Sequence, residues 1–139
     1  EKKVGSFYHV ASDLERIGDY AENIVEYAER MVEEGSGFSE HAKNEILEMD
    51  LHLTELYKNV EKVFGDIDLS FIGDVEREEE LTDEMCTKMQ EAHLRRMNEG
   101  RCTPTAGAAY LQLALNMERI GDHMHNVANS VKTYHATVV

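Results

Sequence analysis

Residues 13–24 read Asp-Leu-Glu-Arg-Ile-Gly-Asp-Tyr-Ala-Glu-Asn-Ile, and residues 116–127 read Asn-Met-Glu-Arg-Ile-Gly-Asp-His-Met-His-Asn-Val. Aligned at a constant offset, Glu15/Glu118, Arg16/Arg119, Ile17/Ile120, Gly18/Gly121, Asp19/Asp122 and Asn23/Asn126 are identical, and Ala11/Ala114 extends the match upstream. An internal repeat reports a duplicated structural unit. A repeated core would repeat Leu and Ile. This one repeats mostly Glu, Arg, Gly, Asp and Asn, so polar chemistry recurs on a helical frame.

Working outward from the first copy, Val10, Leu14, Ile17, Ala21, Ile24, Ala28 and Met31 step by three and four, predicting a helix to about Glu34 with that stripe inward. Gly35-Ser36-Gly37 stops it, with Gly35 placed as a C′ residue. Ser39 is the expected N-cap of a second helix, with Ile46, Met49, Leu53, Leu56, Val60 and Val63 inward, ending at Gly65-Asp66. Residues 67–73 form a short apolar connection, with Leu69, Phe71 and Ile72 expected under the bundle end. A third helix is expected from about Asp74 to Asn98, acidic at its start and closing on Arg95-Arg96, as the helix dipole favours. Its inward residues are Val75, Leu81, Met85, Met89, Ala92 and Met97. Thr103-Pro104 reads as N-cap and N1 of a fourth helix running to about Tyr134. No stretch alternates with period two. The expected fold is all-α, an antiparallel bundle of four helices joined by short links, in one domain over 1–139.

The chain carries 14 Lys and Arg against 28 Asp and Glu, a formal charge of −14. Such a surface repels nucleic-acid phosphates and anionic headgroups and suits metal cations or simple solubility. No apolar run approaches the ~18–20 residues that span a bilayer, so no membrane insertion by this segment is expected. Two cysteines, Cys86 and Cys102, fit a reduced, intracellular protein. The chain opens Glu1-Lys2-Lys3 inside a helical pattern and reads as a piece of a longer protein.

Each copy of the repeat holds a Glu and an Asp at i and i+4, on one helix face. Like charges there repel, so an isolated helix gains nothing from them. A cation between them would explain the arrangement, since hard cations take oxygen ligands and several transition metals take carboxylates. A mid-helix glycine costs about 1 kcal/mol relative to alanine. Gly18 and Gly121 therefore suggest a close approach of another helix or of ions. Asn23 and Asn126 lie one turn further along. Arg16 and Arg119 could orient the carboxylates. The third helix offers another carboxylate pair, Glu79 and Asp83, and His93, His123 and His125 lie nearby in sequence. The competing reading is a purely structural one, with glutamates paired to arginines and glycines allowing close packing. A di-iron enzyme of the bundle class needs Glu-x-x-His on two helices; that pattern is missing, as are His-Glu-x-x-His and a glycine-rich phosphate loop.

At these residues the chain resembles the PhoU family, whose helical repeats each close on a helix bearing Leu-Glu-Arg-Ile-Gly-Asp and then Asn-Ile or Asn-Val. Residues 14–24 and 117–127 match that pattern, and 79–104 resembles the segment leading into the second motif. The chain is most similar to the cytoplasmic PhoU-type domain appended to sodium/phosphate cotransporter-related membrane proteins. A complete member has two three-helix repeats. The resemblance implies that 1–34 is the last helix of a truncated first repeat and 39–135 the second repeat. It further implies regulation of phosphate uptake rather than catalysis, in the cytoplasm and in association with an inner-membrane transporter or its machinery. It implies metal ions too, as a multinuclear iron or zinc cluster held by Glu15, Asp19, Glu118 and Asp122. Asn23, Asn126, Glu79 and Asp83 are further candidates, and His123 stands where a His is common. The truncated repeat makes a homodimer an expectation. The alternative is a metal-free protein–protein interaction module.

Overall fold

A computed structural model describes residues 2–138, with the side chains of 5–135. It contains four helices, α1 (Lys2–Glu33), α2 (Glu40–Gly65), α3 (Ile72–Asn98) and α4 (Pro104–Val138), and one 3-10 turn over Leu69–Phe71. There is no strand among the described residues, and the all-α bundle expected from the sequence is what the chain forms. No helix among these residues is long and apolar enough to cross a membrane. The two cysteines are free thiols.

The punctuation residues act as their chemistry dictates. Gly35 and Gly100 take positive φ, 61° and 66°, the left-handed conformation that ends a helix most cheaply on glycine. The next amides fold back, Ser36 N to Met31 O at 2.9 Å and Arg101 N to Arg96 O at 2.9 Å. Ser39 Oγ and Thr103 Oγ1 then accept from Ala42 N and Ala106 N, each at 3.2 Å, and cap α2 and α4. The 3-10 turn is capped by Asp68, whose carboxylate accepts from Ser70 N at 3.0 Å. It feeds straight into α3, which starts at Ile72 rather than Asp74. Phe71 and Ile72 pack on the core as expected, whereas Leu69 stays 38% exposed.

Helix α4 is the hub and packs against the other three, while α1 packs mainly on α4. The core holds Met49, Leu56 and Val63 of α2, Val75, Met85 and Met89 of α3, and Tyr110, Ala114, Met117 and Val127 of α4. One expected stripe needs correcting. In α1, Val10 and Met31 are buried with Ile17 and Ile24 half-buried, but Leu14 is 53% exposed and Ala21 and Ala28 lie open. The helix carries two overlapping heptad stripes. The second, Phe7, Ala11, Leu14, Gly18, Ala21, Val25, Ala28 and Val32, faces solvent. Its counterpart in α4 runs from Tyr110 through Ala114, Met117, Gly121 and Ala128 to Val131, and is buried beneath α2 and α3. Met97 of α3, expected inside, is 40% exposed, and Arg96 beside it is buried instead.

Candidate metal centre

The two copies of the repeat meet across an antiparallel α1–α4 seam in a pseudo-symmetric way. Asn23 Nδ2 donates to Asn116 Oδ1 at 3.2 Å, and Asn126 Nδ2 donates to Asp13 Oδ1 at 3.3 Å; the second pair is the first with the copies exchanged. At the middle Tyr20 stacks on His123, ring centroids 5.7 Å apart, and His123 Nδ1 lies 2.8 Å from Asp13 Oδ1. Arg119 places its guanidinium over Tyr20 at 5.7 Å. Asn23, Asn126, His123 and Arg119 thus serve this seam, and the structure does not bring them to the carboxylates.

The carboxylates of the two copies part company. Glu15 and Asp19 are exposed on the outer side of α1, and a Cβ built on Gly18 meets nothing within 4 Å. In α4, Glu118 and Asp122 turn toward α3. There Glu79, Asp83 and Asp122 each offer an oxygen within 4.8 Å of the others. Glu118 interacts with both Asp122 and Asp83. This carboxylate cluster therefore spans α3 and α4.

Gly121 lets it close. A Cβ there would come 3.1 Å from Thr82 Cγ2 of α3 and 3.3 and 3.5 Å from Cδ2 of Leu53 and Leu56 of α2. The missing methyl lets α4 press against both neighbours and fixes the reach of the carboxylates. The two glycines of one motif should then respond oppositely. Gly18→Ala is expected to stabilise by about 0.5–1 kcal/mol through helix propensity alone. Gly121→Leu is expected to destabilise by about 1–3 kcal/mol through overpacking. Urea unfolding of both variants checks this, and equal responses would refute the different surroundings of the two copies.

Electrostatics mark the cluster as strained without a counter-charge. Burial first, then Asp83 and Asp122, push Glu79 up to about 8. Burial first, then Asp122 and Asp83, push Glu118 up to about 7. Asp83 Oδ1 is buried with no hydrogen-bond partner, and such a group is costly unless something satisfies it. Burial likewise pushes the Cys86 thiol up one turn away, so it stays protonated. The donor set is oxygen only and anionic, and it fits a hard or borderline divalent or trivalent cation. Among the described residues Glu15 and Asp19 have no such complement.

Comparisons with known proteins agree with this architecture. The PhoU domain family model matches residues 2–28 and 46–131. The phosphate-specific transport system accessory protein PhoU homolog 1 of Thermotoga maritima is 28% identical over 121 residues, covering 87% of this chain and 51% of that protein. A phosphate-specific transport system accessory protein PhoU homolog of Deinococcus radiodurans is 28% identical over 125 residues, covering 87% and 55%. An uncharacterized protein of the same organism is 31% identical over 127 residues, covering 88% and 44%. The chain spans about half the length of the curated relatives it matches. No solved structure matches it.

Proposed function

The chain belongs to the PhoU family, and from that membership we propose that it is a regulatory accessory module of phosphate transport whose α3–α4 carboxylates bind metal. The observation that carries the metal reading is the gathering of Glu79, Asp83, Glu118 and Asp122 around a buried, unpartnered Asp83 oxygen. These residues would hold the ion or ions, iron, zinc or another divalent metal. A bound cation would supply the positive charge that lets all four ionise together. The role of the chain's own residues is then structural. Gly121 sets the α3–α4 spacing, the Asp13–His123 and Asn23–Asn116 contacts fix α1 on α4, and the bundle presents one shape to its partner. Nothing in this chemistry calls for a bond to be made or broken, and the proposed role is regulation rather than catalysis.

The partner in this reading is a transporter's membrane domain or its machinery, met from the cytoplasmic side. The exposed apolar stripe of α1 favours self-association as well. In that arrangement Glu15 and Asp19 would supply two carboxylates to a second site completed from another copy. A metal-free interaction module remains the second reading. It is favoured by the raised values of Glu79 and Glu118, which let carboxyl–carboxylate hydrogen bonds hold the cluster by shared protons.

Native mass spectrometry reads metal number and copy number together. Parent protein purified without affinity metals is expected to carry metal as a dimer, and Asp83→Asn/Asp122→Asn to lose the metal. Metal-free parent that takes up neither iron nor zinc would sink the metal reading. A monomer at all concentrations would sink the self-association.

A further inference from the structure

The two loops at one end of the bundle build a second site of opposite character. Both begin on a positive-φ glycine and end on a hydroxyl N-cap, so α2 and α4 start side by side there. Between them lies a cavity of about 310 Å³ whose polar lining comes from Ser36, Ser39, His93, Arg96, Arg101 and Thr103, with an apolar wall that includes Phe38 and Tyr110. Two helix N-termini, with their positive ends, border it through the cap residues Ser39 and Thr103. The oxygens of Ser39 and Thr103 accept helix amides, which leaves their hydroxyl hydrogens for another acceptor.

The charged groups are held in place. Arg96 is 8% exposed, gripped by Glu45 at 3.0 and 3.1 Å, and lies over the Tyr110 ring at 4.7 Å. Glu45 takes two of its five N–H donors. Arg101 reaches only Glu99, through a pair more than half exposed on the arginine side, an interaction weak enough to exchange for a better anion. His93 Nδ1 is buried with no hydrogen-bond partner. Its ring sits against α4 where only glycine fits, since a Cβ on Gly107 would come 2.8 Å from His93 Cε1. Burial and Arg96 hold this imidazole below its usual range, so it stays neutral and can donate or accept. The carboxylates beside the cavity, Glu45 and Glu99, are already committed to arginines.

We infer that this cavity binds a tetrahedral oxyanion, as inorganic phosphate or as the phosphate group of a small phosphomonoester. It is separate from the carboxylate cluster, since even its nearest lining residue on α3, His93, lies about 15 Å of helical rise from Asp83. The inference therefore stands whether or not metal binds there.

The test is a ¹H–¹⁵N titration of the chelator-treated 139-residue chain with inorganic phosphate, glycerol phosphate, and sodium chloride at matched ionic strength. Saturable shifts are expected at amides of 36–41, 103 and 105–107 with the phosphates and not with chloride. Arg101→Gln alters a largely exposed side chain and should leave the fold intact while weakening binding roughly tenfold, as losing a charge-assisted hydrogen bond does. Tighter binding of glycerol phosphate would support the phosphomonoester form, and tighter binding of inorganic phosphate the free oxyanion. Shifts that track ionic strength, that Arg101→Gln leaves unchanged, or that appear only with added metal would overturn the proposal.

Discussion

Raising the pH from 5.5 to 8.5 is expected to lower the melting temperature of chelator-treated protein by roughly 3–6 °C. Glu79 and Glu118 ionise near 4.5 when unfolded but at about 8 and about 7 in the fold. The folded state therefore favours their protonated forms. Its stability is full below about 4.5, falls as the pH rises, and has lost the whole contribution above 8. Both groups are partly solvated, so the shifts are worth about 1–2 kcal/mol after screening rather than their nominal sum, which gives the stated temperature change for a chain of this size. A cation should reverse the loss at high pH. Metal at one hundred times its dissociation constant adds about 2.7 kcal/mol, or roughly 10 °C. Glu79→Gln should flatten the pH dependence and weaken the response to metal. Differential scanning calorimetry with manganese or zinc titrated in reads both effects, and a melting temperature indifferent to pH and to metal would refute the strained-cluster account.

Glu45→Ala is expected to cost about 3–5 kcal/mol. The Arg96 guanidinium is buried between α2, α3 and α4, and Glu45 is the carboxylate that satisfies it and also accepts from the Tyr110 hydroxyl. Removing one partner of such a pair leaves a buried charge without compensation, which is far more costly than the pair is worth. Glu55→Ala at the exposed pair with Lys58 is the control, and less than 0.5 kcal/mol is expected there. Chemical denaturation of both variants tests the contrast. A loss below 1 kcal/mol for Glu45→Ala would mean that water reaches the guanidinium.

The helices were legible because their ends are written in strong local chemistry. Gly35, Ser39, Gly100 and Thr103-Pro104 fall where the chain turns. The phase of α1 was not legible. Both of its stripes are apolar, and apolar spacing cannot say which one has a neighbour. Glu79, Asp83, Glu118 and Asp122 could be named from spacing, but their pairing across α3 and α4 could not. Asn23 and Asn126 were read onto the same face because each lies one turn beyond an aspartate. Eight residues past the glutamate the helix has drifted by about 80°, enough to swing both asparagines into the α1–α4 seam. The Glu45–Arg96–Tyr110 group had no local signal, being assembled from three helices far apart in sequence.

The arrangement in which α1 leans chiefly on α4, while α2 and α3 each touch two other helices and α4 touches all three, has a consequence for how the bundle opens. Detaching α1 breaks one seam, in which polar contacts through Asp13, Tyr20 and Asn23 run beside apolar Val10, Ile24 and Met31. Detaching α2 or α3 breaks two seams and detaching α4 breaks three, and each dismantles the apolar interior. Hydrogen exchange is therefore expected to show α1 as the outlying cooperative unit and α4 among the last to yield. One sequence motif, written twice, therefore serves as a latch in one copy and as the frame it closes on in the other.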